Sequence, residues 1–369
     1  MHIAISSNTS WSVYNFRLRL IRAFIERGWR VTVLSPRDEY SGRIMAAGAA
    51  HAHLDLDARG MNPLRELAAL RAMKRAYRGI APAVVLQYTI KPVIYGSIAA
   101  RRLGIPVINN ITGLGVMFSS GLRRAMARSL YRFALSSAAL TFFQNPEDHQ
   151  IFLRGRIVEP ERARLLPGSG VDTERFSPQP PPEGAFSFLL MGRLLRDKGV
   201  EDFIFAARII KARHPSVRFV LLGWHDPTDS SYADPSLLRK AEEEGIVSLI
   251  EHTDDVRPFI AEAGCIVLPS YYREGVPRSL LEAASMARPL IAADSAGTRE
   301  PVRDGVNGFL CRPRDPSNLA ERMEAILALP PRQIAAMGEA SRRVAVEHFD
   351  ERVVLAAYLD ALSRLAGAG

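Results

Sequence analysis

Short apolar runs alternate with longer amphipathic stretches along most of the chain. Residues 1–6, 30–35, 84–87, 107–110 and 140–144 read as strands, with helical spacing of apolar positions over 15–28, 63–78, 94–103 and 123–136. The alternation breaks at Ser177-Pro178-Gln179-Pro180-Pro181-Pro182. Prolines there can neither continue a helix nor fill a central strand, so the segment reads as a linker or surface crossing. Strand runs then restart at 186–192, 219–223, 246–251, 265–269, 289–293 and 309–311, with a helix at 200–214. Repeated strand–helix alternation predicts an α/β fold of two successive doubly wound units, each a parallel sheet with helices on both faces. The 369 residues agree, because a single core stops growing at about 250–300 residues. In such sheets ligands bind outside the carboxyl ends of the strands, and two facing domains would leave a cleft for them.

Composition changes this picture little: 47% hydrophobic and 24% charged residues are ordinary for a globular chain. Two cysteines, Cys265 and Cys311, imply no disulfide framework and fit a reduced compartment. The opening residues lack the basic segment and apolar core of a signal peptide, and no window has about 18 uninterrupted apolar residues. The expectation is a cytoplasmic chain, free or attached to a membrane surface.

Charge adds more. The formal net charge of +9 divides into +13 over residues 1–178 and −4 over the rest. A basic half beside a mildly acidic half predicts that one domain faces something anionic: nucleic acid, a phospholipid surface or a phosphorylated substrate. No nucleic-acid recognition motif accompanies the charge.

Two segments of the second half carry candidate chemistry. In Leu190-Met191-Gly192-Arg193-Leu194-Leu195-Arg196-Asp197-Lys198-Gly199 a strand ends at Gly192, and Arg193 and Lys198 follow in the loop. Two cations at a strand's carboxyl end can grip a diphosphate, arginine as a fork; either alone also reads as surface charge. The second segment runs strand, loop, helix from Cys265 through Tyr271-Tyr272-Arg273-Glu274-Gly275-Val276-Pro277 to Arg278-Ser279-Leu280-Leu281-Glu282. Gly275 permits close backbone approach, Pro277 suits a helix start, and the opening amides of that helix form an anion site. Glu282, one turn in, is either a structural helix glutamate or holds a ligand diol.

Taken together, Gly-Arg…Lys-Gly followed by Glu274 and Glu282 resembles the retaining glycosyltransferase family 4. So do Pro167-Gly168-Ser169-Gly170-Val171-Asp172 with Phe176, Gly297-Thr298-Arg299-Glu300 and Asn307-Gly308-Phe309. In the first half, Trp11-Ser12-Val13-Tyr14-Asn15-Phe16-Arg17, Tyr88-Thr89-Ile90-Lys91-Pro92 and Ile111-Thr112-Gly113-Leu114-Gly115 resemble bacterial members that extend polyprenyl-diphosphate-linked saccharides, N-acetylhexosaminyl- and galactosaminyltransferases among them.

The resemblance implies a GT-B fold: two facing Rossmann-like domains with an interdomain cleft. The expected bounds are an acceptor domain over 1–175, with a terminal helix near 350–369 packed back on it, and a donor domain over 176–349. It implies a retaining hexosyltransferase using a UDP-sugar, with no metal and no other cofactor. Arg193 and Lys198 would bind the donor diphosphate, Glu282 the ribose hydroxyls, and Glu274 the donor sugar beside Gly275, Val276 and Pro277. Gly192, Gly223, Asp254 and Val256 would border the nucleotide. Asn15, Arg17, Lys91, Thr112 and Gly113 are the acceptor-side candidates. Two departures stand out: residues 6–12 contain no glycine, and no histidine lies between His53 and His149 to fill the family's N-domain role. Arg278 and Arg299 are candidates for sugar choice. Asp55-Leu56-Asp57 resembles a metal-binding pair of another fold and is read as incidental.

Residues 119–136 place Arg124, Arg128 and Arg132 in one helical stripe beside Arg123, among aliphatic and aromatic positions. Such a helix suits an anionic membrane interface or a solvated face over a core. With the lipid-linked acceptor implied above, the expectation is a peripheral protein on the cytoplasmic face of the inner membrane. Two other readings stay open, an epimerase on the same scaffold and a non-catalytic sugar-nucleotide-binding protein.

Overall fold

The computed structural model describes residues 1–56, 63–114, 121–226 and 228–367. Asp57, Gly115, residues 119 and 120, and the side chains of Arg123 and Arg124 lie outside the described parts. The chain forms two compact units, Met1–Ser169 with Val354–Gly369, and Gly170–Val353.

Unit 1 holds a seven-stranded parallel sheet in the order β3-β2-β1-β4-β5-β6-β7. Its strands are β1 (His2–Ser6), β2 (Arg30–Ser35), β3 (Ala50–His53), β4 (Val84–Tyr88), β5 (Val107–Ile111), β6 (Leu140–Phe143) and β7 (Ala163–Leu165). Its helices are α1 (Ser10–Glu26), α2 (Tyr40–Ala46), α3 (Pro63–Ile80), α4 (Ser97–Arg101), α5 (Gly121–Leu135) and α6 (Pro146–Arg154). The central strands β4 and β5 are buried along their whole length because helices cover both faces. Ile3 and Ile5 point into one core while Ala4 between them points into another.

Unit 2 repeats the plan with six parallel strands in the order β10-β9-β8-β11-β12-β13. These are β8 (Ser187–Met191), β9 (Arg218–Leu222), β10 (Ser248–Ile250), β11 (Cys265–Leu268), β12 (Leu290–Ala293) and β13 (Gly308–Cys311). The helices are α7 (Val200–Lys211), α8 (Pro235–Glu243), α9 (Arg257–Glu262), α10 (Arg278–Ser285), α11 (Pro316–Leu327) and α12 (Pro331–His348). Along β8, Phe188 and Leu190 enter one core, Leu189 and Met191 the other. The strand order reverses between β1 and β4 in unit 1 and between β8 and β11 in unit 2, the points where doubly wound sheets place ligands.

The last helix, α13 (Glu351–Gly367), belongs largely to unit 1. Val354, Tyr358, Ala361 and Leu362 enter its core, and the Tyr358 hydroxyl accepts a 2.9 Å bond from Asn110 Nδ2.

Several elements differ from the sequence reading. α1 begins at Ser10 rather than at 15, because the Thr9 hydroxyl caps it by accepting the Ser12 amide at 3.1 Å. The proline-rich segment lies within unit 2, where it is pinned rather than loose. Arg288, 2% exposed, donates to the carbonyls of Gln179 and Pro180 at 3.1 and 2.8 Å.

Candidate functional site

In unit 2 the switch-point strands deliver their loops to one edge. β8 and β9 are neighbours, and Gly192 and Gly223 follow them at φ of 140° and 150°. A Cβ on Gly223 would stand 1.8 Å from the Gly192 carbonyl, so only glycine lets these loop backbones touch. Beyond Gly192 the chain makes a short 3-10 turn over Arg196–Lys198, closed by Gly199 at φ 76°. A Cβ on Gly199 would meet the Pro269 carbonyl at 2.5 Å. That close packing brings Lys198 against the loop after β11.

Lys198 Nζ forms an ion pair with Glu274 Oε2, and their side chains are only 16% and 15% exposed. The other carboxylate oxygen, Oε1, accepts from Ser270 Oγ at 2.8 Å. The Asp197 carbonyl accepts the Tyr271 and Tyr272 amides at 3.0 and 3.1 Å, tying the two loops along their backbones. From the far side, the turn after β12 supports the same loop. Ser295 Oγ donates to the Ser270 carbonyl at 2.8 Å, and a Cβ on Gly297 would stand 2.2 Å from the Glu274 carbonyl.

Gly275, Val276 and Pro277 are buried and lead into α10. Pro277, extended at φ −68°, precedes the first helical residue. Glu282 sits one turn in, its Oε1 3.1 Å from Arg278 Nη2. Burial pushes the Glu282 carboxyl up, and the positive charges of Arg278 and then Arg175 oppose that push.

Arg193 is exposed on the loop after β8. Burial raises the Tyr272 hydroxyl, and the Arg193 charge opposes that shift. Asp254 is 64% exposed, its Oδ1 3.8 Å from His252 Nε2. The neighbouring Asp255 is drawn down to about 2 by the guanidinium fork of Arg257. Val256 is half-buried before α9.

The structure thus brings together Lys198, Glu274, Gly275 and Pro277, with Gly192 and Gly223 back to back beside them. Ser270, Tyr272 and Arg175 are additions that the sequence reading missed. Their sequence signal is slight: a serine four residues before a glutamate acquires meaning only when the loop curls back on itself.

The unit 1 candidates are more scattered. Asn15 Nδ2 turns back onto the Trp11 carbonyl at 2.9 Å. Lys91, an acceptor-side candidate, has a partner within unit 1. Its Nζ pairs with Glu66 Oε1 at 2.7 Å, both side chains largely shielded. Thr112 and Gly113, the latter at φ 119°, follow β5. Arg17 is 5% exposed beneath α1.

Two arginines of the α5 stripe have partners within unit 1. Arg128 donates to the Gly155 carbonyl at 3.3 Å, and Arg132 to those of Gly155 and Arg156 at 2.7 and 3.0 Å. Both satisfy carbonyls at the end of α6. Met126 and Phe133 on the same helix are 59% and 56% exposed. No helix among the described residues is long and apolar enough to cross a membrane. Among those residues no three His, Cys, Asp or Glu side chains gather as metal ligands.

Chemically, the unit 2 cluster offers cations and helix-start amides for a phosphoryl anion, and two carboxylates for hydroxyl groups.

Residues 185–328 match the family described as glycosyl transferases group 1, and residues 2–145 match the family described as glycosyl transferase 4-like. An N,N'-diacetylbacillosaminyl-diphospho-undecaprenol alpha-1,3-N-acetylgalactosaminyltransferase of Campylobacter jejuni is 23% identical over 99% of both chains. A UDP-Gal:alpha-D-GlcNAc-diphosphoundecaprenol alpha-1,3-galactosyltransferase of Escherichia coli is 25% identical over 70% of this chain and 69% of its own. The crystal structure of Anabaena HepE in complex with UDP and glucose superposes with a TM-score of 0.80 at 17% identity, covering 98% of this chain and 99% of that one.

Proposed function

The two domains of this chain belong to the glycosyl transferase 4-like and glycosyl transferases group 1 families, so the chain is a glycosyltransferase of GT-B type, and we propose that it moves a hexose or N-acetylhexosamine from a UDP-sugar to a polyprenyl-diphosphate-linked saccharide with retention. The observation that carries the donor assignment is the shielded Lys198–Glu274 pair at the carboxyl ends of β8 and β11. The two relatives whose names specify undecaprenyl-diphosphate acceptors support the acceptor class, and HepE crystallised with UDP supports the nucleotide.

The bond from the anomeric carbon to the β-phosphate oxygen breaks with its electron pair left on the phosphate. Lys198, Arg193 and the opening amides of α10 stabilise that charge where it develops. Their preorganisation matters, because groups already aimed at the leaving oxygen need no reorientation as the bond breaks. Glu274 accepts hydroxyls of the donor sugar, and Glu282 those of the ribose. No carboxylate is assigned as a nucleophile. The acceptor hydroxyl instead bonds to the anomeric carbon from the face the phosphate leaves, and its proton passes to the leaving phosphate oxygen. The protein's cations supply the charge that a metal would otherwise bring.

Since the acceptor is lipid-linked, the enzyme works at the cytoplasmic face of the membrane, and the exposed Met126 and Phe133 with the +13 charge of residues 1–178 support that placement. Binding titrations test the donor reading: UDP and UDP-sugars bind competitively and ADP weakly, whereas equal affinity for ADP overturns it. Co-sedimentation with anionic but not neutral vesicles tests the surface.

A further inference from the structure

Arg17 is a sequestered cation with almost nothing to hold it. It lies on the sheet-facing side of α1, 5% exposed, with its guanidinium carbon 4.3 Å from the centre of the Tyr88 ring. Its one hydrogen bond runs from Nη1 to the carbonyl of Phe16 at 3.3 Å. It forms no ion pair among the described residues. Two other arginines, Arg288 buried and Arg342 half-buried, show what ordinarily fills such a site. Arg288 makes four bonds to carbonyls, and Arg342 reaches three carbonyls and the Ser285 hydroxyl.

A charge taken out of water without a partner is costly, so it is kept where something completes it. The groups around Arg17 do not. Burial pushes the hydroxyls of Tyr88 and Tyr358 upward, so both stay neutral, and only the ring face of Tyr88 offsets the cation. None of the Arg17 nitrogens is both fully buried and without a partner, so the remaining N–H groups open to solvent.

The location is as specific as the chemistry. Tyr88 ends β4, and β4 lies beside β1 where the strand order of unit 1 reverses. The crevice outside the carboxyl ends at that point is the ligand position of a doubly wound sheet. The Arg17 guanidinium carbon lies over the Tyr88 ring, and a guanidinium offers a phosphoryl group a planar fork of N–H donors.

We propose that Arg17, its guanidinium over the Tyr88 ring, is a phosphoryl-binding subsite of unit 1. Its occupant in turnover is the diphosphate of the acceptor. That source rests on the acceptor reading given above, whereas the subsite rests on the geometry of unit 1 alone.

The test uses the full chain, with saturating UDP to fill the donor site and inorganic pyrophosphate as the probe. Pyrophosphate raises the melting temperature of the wild type and not of Arg17→Met. With a prenyl-diphosphate-linked sugar, the acceptor KM of Arg17→Met rises about 10- to 100-fold, as for the loss of a charge-assisted contact, while kcat and the Kd for UDP hold. Arg17→Lys, which keeps the charge without the fork, lies between and covers the case in which the methionine variant does not fold. A pyrophosphate response equal in wild type and variants overturns the subsite. So does a parallel fall of melting temperature, kcat and UDP affinity, which marks a structural arginine. A rise in the Kd for UDP with an unchanged acceptor KM keeps the phosphoryl subsite and assigns its occupant to the nucleotide.

Discussion

Arg278 Nη2 stands 3.1 Å from Glu282 Oε1, one turn apart on α10, with side chains only 20% and 15% exposed. Burial pushes the Glu282 carboxyl up, and Arg278 is the first of the charges that oppose that shift. A ribose hydroxyl donates best to the ionised carboxylate. UDP affinity therefore falls on acidification, starting above the ordinary glutamate value of 4.5. Arg278→Met moves that fall to higher pH, and Glu282→Gln weakens binding about 10-fold or more and flattens its pH dependence. Calorimetric titration of UDP between about pH 5 and 8 reads all three. For stability the sign is reversed: a carboxyl raised in the folded state costs stability as pH climbs through its folded value. Glu282→Gln accordingly keeps or raises the melting temperature at neutral pH while losing nucleotide.

Lys198 and Glu274 are expected to separate activity from stability in a different way. Lys198→Ala removes the charge aimed at the leaving diphosphate, lowering kcat/KM by about 10²- to 10³-fold. It also leaves the Glu274 carboxylate with Ser270 as its remaining named donor, at a cost of about 1–3 kcal/mol. Steady-state kinetics beside thermal melting checks both numbers. Near-normal turnover would remove Lys198 from the site.

Gly297 tests whether the turn after β12 shapes the Glu274 loop. Gly297→Ala adds a Cβ 2.2 Å from the Glu274 carbonyl at φ 86°, so backbone must shift. A loss of about 1–3 kcal/mol and a marked fall in transfer are expected. Gly305→Ala is the control: φ is 74° but the space around it is open. It costs about 1 kcal/mol and leaves transfer unchanged.

Asp350, 4% exposed, anchors the start of α13. Its carboxylate accepts the Thr173 hydroxyl and the Arg352 fork at 2.8 Å on each oxygen. Burial pushes the group up, but the bonds from Arg352 and Thr173 outweigh it and hold it at about 2. The stability this supplies is present above 3.8 and lost as pH falls through about 2. Asp350→Asn lowers stability by about 1–3 kcal/mol at neutral pH and blunts the acid limb of the melting profile.

Much of this architecture was legible before the structure, for identifiable reasons. β4, β8, β11 and β12 are buried on both faces, and such strands announce themselves as apolar runs. Edge strands do not: β3 reads Ala-His-Ala-His and is only partly covered. The six residues of α9 are too few for a helical period to show. At the site, Lys198, Glu274 and Glu282 stood out through their spacing with Gly192 and Pro277. Ser270 and Ser295 did not, because their effect is on a backbone path. The Lys91–Glu66 pair was not legible, because Glu66 lies 25 positions earlier on α3. The stripe of Arg128 and Arg132 was visible as charge, but its destination at the end of α6 is a tertiary fact.

The central claim is that the unit 2 cluster activates a UDP-sugar for transfer to a lipid-linked acceptor without a metal. The direct measurement is UDP release from a panel of UDP-sugars, in the presence of a chelator, with and without a polyprenyl-diphosphate-linked sugar. The account predicts release that requires the lipid acceptor, survives chelation and collapses in Lys198→Ala. Conversion of the donor without any acceptor, or turnover abolished by the chelator and restored by a divalent cation, would contradict it.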